Sequence, residues 1–277
     1  MAHNLTTKEI QSYQEDGYII LPGFFNKQEV NKLYKVALED QMISKNSFDL
    51  NDQSGKKTKL ALWYTPGNDI YSLLTRSERV VQTANKLMDG TAPVCHYHSK
   101  LMQKEPKVGG AWEWHQDYGY WYKNGYLFPD QMVSVMIAIT EAKKENGCLQ
   151  VIKGSHKLGR VEHGFAGEQV GASQQHVDIA LAIMDLVYVE IQPGDALIFH
   201  PNLLHRSEAN LSDKSRWSII SVYNRQTNVP YIDNSPSSTI PVEVVSDDAL
   251  LSADASGFQD DSANFLDKAD EPSINTK

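Results

Sequence analysis

His115, Gln116 and Asp117 stand together near the middle of a 277-residue chain, and His205 and Arg216 follow much later. Two imidazoles and one carboxylate make up the facial ligand set with which non-haem Fe(II) oxygenases hold iron. His115 and Asp117 fit one strand, because side chains at i and i+2 leave the same face. His205 must then come from another strand of the same barrel. Three protein ligands leave three positions of an octahedral metal open, two for a chelating 2-oxo acid and one for dioxygen. Arg216, eleven residues after His205, is a fixed cation suited to gripping a carboxylate end-on. Ser207 can add a hydroxyl donor to the same carboxylate. Alone, the histidine–aspartate pair reads as a surface strand and Arg216 as a cation that snorkels to water. The second histidine and the flanking aromatics Trp112, Trp114, Tyr118, Tyr120, Trp121 and Tyr122 tip both readings toward a site. The combination predicts an Fe(II) oxygenase whose co-substrate is an acid such as 2-oxoglutarate.

The elements needed to position these residues are legible in outline. Thr6 to Glu9 forms a capping box that opens a helix toward Glu15, and Asn26 with Glu29 opens a second with Val30, Leu33, Tyr34 and Ala37 as its apolar stripe. Residues 44–59 are polar and read as a loop; a third helix is predicted over 77–88 and a fourth over 174–186. From Pro93 the character changes to strands: 94–104, 112–117, 132–140, 149–152, 187–191, 196–200 and 217–223, divided by Gly-, Pro- and Asn-containing turns. Helices first and short strands after predict a mainly β jelly roll with helices packed on one face.

Composition narrows the function class. The net charge of −9 is concentrated at the end: residues 233–277 carry ten Asp or Glu and two Lys, while the first 232 carry 24 Lys or Arg and 25 Asp or Glu. A near-neutral body has no electrostatic footprint for nucleic acid. No apolar run reaches the ~20 residues of a membrane span, and no signal-peptide pattern precedes the body. The expectation is a cytoplasmic enzyme with a small-molecule substrate, neither nucleic acid nor membrane as partner, and nothing that sets its oligomeric state. One domain is expected over 1–231, followed by an acidic extension, 232–277, that is poorly ordered or peripherally packed, with Val244-Val245 and Ala249-Leu250-Leu251 as the residues able to anchor part of it. Cys95 and Cys148 read as buried free thiols.

Several motifs together resemble the phytanoyl-CoA dioxygenase family of Fe(II)/2-oxoglutarate oxygenases. They are Trp114-His115-Gln116-Asp117-Tyr118, Glu145-Asn146-Gly147-Cys148-Leu149 with Gly154-Ser155-His156-Lys157, Pro193-Gly194-Asp195, and Leu204-His205-Arg206-Ser207 with Arg216. The resemblance runs from about Thr7 to Tyr231 and implies a double-stranded β-helix of the cupin-like kind. It implies Fe(II) on His115, Asp117 and His205, with 2-oxoglutarate on Arg216 and Ser207 and dioxygen as oxidant. Ascorbate is the implied reductant, and succinate and CO2 the by-products. The strand 98–104 matches a family stretch whose alternate residues face the co-substrate, which places Met102 and Lys104 beside it. His98 stands where glutamine is common and is read as a hydrogen-bonded core histidine. Related halogenases lack the carboxylate supplied here by Asp117, so its presence implies hydroxylation.

Tyr118, Tyr120, Lys100 and His163 are the candidate substrate contacts, His163 from a glycine-bearing loop at the pocket border. His156 is read as a turn histidine and His176 as a surface residue at a helix start. The stretches 113–122 and 148–163 resemble bacterial members of the family that act on small organophosphonates. 2-Aminoethylphosphonate, hydroxylated on the carbon bearing phosphorus, is therefore the expected substrate, with Lys100, Lys104, Arg160, Arg206 and Arg225 as candidate cations for its anionic end. An acyl-CoA, an ectoine-like molecule or another natural product are the alternatives within the family. A zinc hydrolase or isomerase on a similar barrel would explain the triad but neither Arg216 nor Ser207, and an inactive sensor of iron or 2-oxoglutarate would not need every ligand intact.

Overall fold

Two capping boxes set the start of the chain. In the computed structural model, which describes residues 4–232, 238–252 and 254–270, helix α1 (Thr7–Asp16) opens on Thr6 and Glu9 and closes on Gly17 at φ 81°. Strand β1 (Tyr18–Leu21) leads to α2 (Lys27–Glu39), opened by Asn26 and Glu29 in the same reciprocal way. Each such cap is worth about 1 kcal/mol. Then come α3 (Gln41–Asn46), β2 (Phe48–Asn51), β3 (Lys57–Trp63), α4 (Ile70–Arg76) and α5 (Glu78–Leu87). The barrel proper continues with β4 (Val94–Lys104), β5 (Trp112–His115), α6 (Asp117–Trp121), β6 (Met132–Ala138) and β7 (Leu149–Ile152). It ends with β8 (His163–Ala166), β9 (Gln169–Ala172), α7 (Gln174–Ile183), β10 (Leu186–Val189), β11 (Ala196–Phe199), β12 (His205–Ser207) and β13 (Arg216–Arg225).

A seven-stranded antiparallel sheet in the order β1-β11-β6-β13-β4-β3-β2 faces a four-stranded sheet in the order β10-β7-β12-β5. That is the expected jelly roll. Strand alternation divides β13: Trp217, Ile219 and Tyr223 join the core beneath α1, α2, α4 and α5, while Ile220 joins Met102, Met136, Leu149, Val151 and Leu197 between the sheets. Arg216 and Ser218 share the inward face with Ile220, so the same alternation that builds the core points polar groups into it.

Four features differ from the sequence reading. The polar stretch 44–59 is not a loop; it contains most of the β2–β3 hairpin, with Leu50 and Leu60 buried and the polar residues gathered in the turn. Asp52 ties that turn down by accepting from Ser54 N at 2.8 Å, Lys56 N at 2.9 Å and Ala111 N at 2.7 Å. The glycine-bearing segment after His163 is a second hairpin, β8–β9. The strand expected over 112–117 stops at His115, and Asp117 is the first residue of α6.

The acidic extension is also built into the fold. Leu250, Ala255, Phe258 and Ala263 are buried in the helix-side core, Leu266 in the core between the sheets. Asp247 lies 3.1 Å from Arg79, which also pairs with Glu29 of α2 at 2.7 Å. Evenly spaced apolar residues anchor a segment whose overall composition is that of a solvated tail. Residues 233–237, 253 and 271–277 of the extension lie outside the described residues. Among the described residues no helix is long and apolar enough to cross a membrane. Cys95 and Cys148 are buried free thiols.

Candidate active site

β5 and β12 are neighbours in the smaller sheet with His115 directly opposite His205, so pairing alone places the two rings 4.0 Å apart. Gln116 stays extended at φ −112° and ψ 134°, which carries the strand's alternation one residue beyond its end and returns Asp117 to the same side. Asp117 Oδ1 lies 3.7 Å from His115 Nε2 and 3.8 Å from His205 Nε2. All three residues are buried, and their ligand atoms fall within 4.8 Å of one another.

The surroundings of each ligand fit a divalent metal. His115 Nδ1 donates to Glu113 O at 2.7 Å, and His205 Nδ1 donates to Leu203 O at 2.9 Å. Both Nε2 lone pairs therefore turn toward the shared centre. Burial, reinforced by the neighbouring His205 ring, pushes the His115 pKa well below the ordinary histidine value, and burial lowers that of His205 too. Ser134 Oγ donates to Asp117 Oδ2 at 2.7 Å and leaves Oδ1 facing the histidines. Two neutral imidazoles and a carboxylate on one side of a point are the donor set of a facial iron site.

Gln116, between the ligands, is fully buried and holds three backbone groups: Gly159 O and Asn202 O at 2.7 Å each, and Val161 N at 2.8 Å. His163 completes this brace. Its Nε2 accepts from Gln116 N at 2.9 Å, its Nδ1 donates to Val161 O at 2.8 Å, and its ring fills the space above Gly119 that a Cβ would occupy. Both ring nitrogens are committed to backbone, so His163 supports the metal-binding turn and does not reach the cavity. Tyr118 likewise turns away, buried with its hydroxyl donating to Tyr126 O at 3.0 Å.

Behind the triad lies an inner cavity of about 340 Å³ whose walls include Met102, Trp112, His205, Ser207, Arg216 and Ser218. Arg216 is 3 % exposed, its Nε has no hydrogen-bond partner, and among the described residues no carboxylate pairs with it. The Ser218 hydroxyl is buried and unpartnered as well. A desolvated guanidinium without a counter-ion costs several kcal/mol unless something anionic joins it; burial already lowers the Arg216 pKa to about 10. Beside a metal-ligand triad, such a cavity is shaped for a short dicarboxylate. Met102 and Ser207, expected beside the co-substrate, both line this cavity, and Ser218 joins them. Lys104 is displaced from the expected role. Opposite Arg216 in the sheet, its ammonium donates to Ser207 O at 3.3 Å and Glu208 O at 2.6 Å, behind the cavity wall.

In front of the triad an outer cavity of about 620 Å³, including its open mouth, is walled by Leu60, Leu62, Tyr64, Tyr97, His98, Trp112, Tyr120, Trp121 and Leu266, with Lys100 shared between the two cavities. Tyr120 and Lys100, two of the candidate substrate contacts, thus line this cavity, and Leu266 shows that the acidic extension contributes to the wall. The other candidate cations are occupied elsewhere. Arg225 bonds to five backbone or side-chain oxygens from Asn85 to Ala92, Arg206 pairs with Glu208 at 2.7 Å, and Arg160 stacks on Tyr122. His156 bonds to Gln14 O at 3.1 Å, away from the site.

Known proteins resemble this chain in sequence and in fold. The chain is 26% identical over 233 residues to L-proline trans-4-hydroxylase of Streptomyces griseoviridis, covering 79% of this chain and 86% of the relative. To ectoine dioxygenase of Halomonas elongata it is 24% identical over 238 residues, covering 81% and 71%. The crystal structure of EctD from S. alaskensis with bound Fe superposes with a TM-score of 0.70 at 20% identity, over 87% of this chain and 88% of that one. The model of the phytanoyl-CoA dioxygenase family matches residues 13–218, and the chain belongs to that family.

Proposed function

We propose that the protein is an Fe(II)- and 2-oxoglutarate-dependent dioxygenase that hydroxylates a C–H bond of a small polar molecule. The observation that carries this reading is the buried, unpaired Arg216 in a cavity that shares His205 with the metal-ligand triad. A zinc hydrolase has no use for such a socket. Iron on His115, Asp117 and His205 supplies the chemistry that couples 2-oxoglutarate, dioxygen and R–H to succinate, CO2 and R–OH; one oxygen atom enters succinate and the other the product. Arg216, with the Ser207 and Ser218 hydroxyls, would hold the distal carboxylate so that the 2-oxo acid end reaches the triad. Ser134 and Gln116 hold the ligand geometry, and the aromatic walls limit water. Ascorbate is the reductant we expect to sustain turnover.

For the substrate, we favour a compact molecule over an acyl-CoA, because the outer cavity holds only about 620 Å³ even with its open mouth included. 2-Aminoethylphosphonate, hydroxylated at the carbon bearing phosphorus, remains our specific proposal, with ectoine-like and other small natural products as the alternatives. The relatives that act on proline and ectoine favour small polar substrates as a class. The test is succinate release from the Fe(II)-loaded protein with ascorbate, oxygen and 2-oxoglutarate across 2-aminoethylphosphonate, ectoine, proline and an acyl-CoA. Stimulation by one of the small molecules, with a product heavier by one oxygen, is the expected result. Stimulation by acyl-CoA alone would overturn the substrate reading.

A further inference from the structure

Among the buried histidines, His98 stands apart. His96, His115, His163, His200 and His205 each bond through at least one ring nitrogen to a protein group. His98 is 8 % exposed, lines the outer cavity, and has no hydrogen bond from either nitrogen among the described residues. The reading of His98 as a hydrogen-bonded core histidine is therefore corrected. Neither ring nitrogen is fully enclosed by protein, so the polar atoms of this largely buried ring open to the cavity, where a ligand can satisfy them. Its ring is fixed by three aromatic neighbours, Tyr97 at 4.5 Å, Trp121 at 6.1 Å and Tyr64 at 6.4 Å between centroids.

The backbone explains why it faces the cavity. The register between β13 and β4 slips between Val222 and Tyr223, pairing Val222 with His98 and Tyr223 with His96 and leaving Tyr97 as an extra residue. At such a bulge two consecutive side chains can serve the same space, and Tyr97 and His98 both line the outer cavity. Beyond the bulge normal alternation resumes, so Lys100 follows His98 on the same face and also lines the cavity. Lys100 forms no ion pair among the described residues; its ammonium lies 5.6 Å from the centre of the Trp112 ring. Apart from Asp117, whose oxygens are committed to Ser134 and the triad, no carboxylate among the described residues lines this cavity.

We propose that Lys100 and His98 form the anchor for an anionic group of the primary substrate, a carboxylate or phosphonate gripped by the ammonium and one imidazole N–H. This rests on the reading of the protein as a 2-oxoglutarate oxygenase and names its substrate class: small molecules with one oxyanion and a compact body against Leu62, Trp121 and Leu266. Burial first, then the Lys100 charge, hold His98 neutral, so one ring nitrogen donates and the other is left to accept. Arg216, at the far side of the inner cavity, serves the co-substrate; Lys100 is the cation left for the substrate.

Anaerobic calorimetry on the Fe(II)- and 2-oxoglutarate-loaded protein tests this with paired probes. The anionic members are 2-aminoethylphosphonate, β-alanine and proline; the neutral-ended members are 2-aminoethylphosphonate diethyl ester, β-alaninamide and prolinamide. At least one anionic probe should bind, and its partner at least tenfold more weakly. Lys100→Met should weaken that probe roughly thirtyfold or more, and Lys100→Arg should restore much of the loss. His98→Phe, which keeps the ring packing, should cost about fivefold. 2-Oxoglutarate affinity, measured on the same variants, should change by less than about threefold. Equal binding of a charged probe and its neutral partner, binding of none of the anionic probes, or a loss of 2-oxoglutarate affinity in Lys100→Met larger than the loss for the probe would each overturn the anchor. Absence of 2-oxoglutarate binding to the wild-type protein would instead count against the oxygenase reading itself.

Discussion

Ser134 Oγ donates to Asp117 Oδ2 at 2.7 Å, and this one bond decides which carboxylate oxygen faces His115 and His205. It reaches across the barrel from the larger sheet to the turn after β5, so the iron ligand is oriented by a residue from the opposite wall. Ser134→Ala should lower Fe(II) affinity about 10- to 100-fold without changing the ligand set. Metal titration of the apoprotein checks it; an affinity equal to wild type would show that the Asp117 orientation does not depend on this bond.

Arg216 sits in its cavity without a protein counter-ion, and that makes a two-sided prediction. Arg216→Met should weaken 2-oxoglutarate by roughly thirtyfold or more, since truncating one partner of a buried charge pair costs about 2–5 kcal/mol. The same variant should be no less stable than wild type in the absence of 2-oxoglutarate, because it removes an uncompensated buried charge. Denaturant unfolding and 2-oxoglutarate titration on one preparation measure both halves. A destabilised variant with unaltered co-substrate affinity would mean that the guanidinium is structural.

How much of this was legible in the sequence depends on whether a signal was local. The capping boxes at Thr6 and Asn26, the strands β4 and β7 and the metal ligands are short-range patterns that the fold preserves. The β2–β3 hairpin was hidden because its polar turn and outward residues outnumber Leu50, Leu60 and Leu62, which point inward. Ser218 was recoverable from strand alternation, two residues after Arg216. The facing of His98 was recoverable in the same way, two residues before Lys100; the arrival of Tyr97 beside it was not, because that depends on a bulge opposite Tyr223 that only pairing reveals. Lys104 and His163 were placed near the right atoms but one layer too close: the sequence marks a polar residue in a core, and only the partners show whether it serves backbone or ligand.

The extension beyond residue 231 illustrates the same point. Its acidity dominates its composition, yet Phe258 stacks on Tyr71 at 4.9 Å and meets Trp63 at 5.2 Å and Phe265 at 4.9 Å. Phe258→Ala should destabilise the protein by about 3–5 kcal/mol. Chemical denaturation gives the number. A loss under 1 kcal/mol would return the segment to the peripheral role its composition implies.

Acid should weaken the metal-free fold for a specific reason. Burial holds His96 and His163 neutral, with pKa values lowered to about 4. The unfolded chain takes up their protons near pH 6.5, the folded chain only near pH 4. Their stabilising contribution is therefore complete above about pH 7 and declines as pH falls from 6.5 toward 4, by up to about 1.4 kcal/mol per pH unit for each ring. His96→Gln should reduce that slope by one histidine's share. Thermal unfolding between pH 7 and 4 reads it directly, and a pH-independent midpoint would contradict the assignment of neutral rings.

One cavity joins the metal-ligand triad, through His115 and His205, to the Arg216 socket, so a 2-oxo acid held by Arg216 would reach a metal held by the triad. Anaerobic addition of 2-oxoglutarate to the Fe(II)-loaded protein should produce the visible metal-to-ligand charge-transfer band of an Fe(II)–2-oxoglutarate chelate. The band should vanish in Asp117→Ala and require far more 2-oxoglutarate in Arg216→Met. An Fe(II)-loaded wild-type protein that shows no band at saturating 2-oxoglutarate would contradict the account.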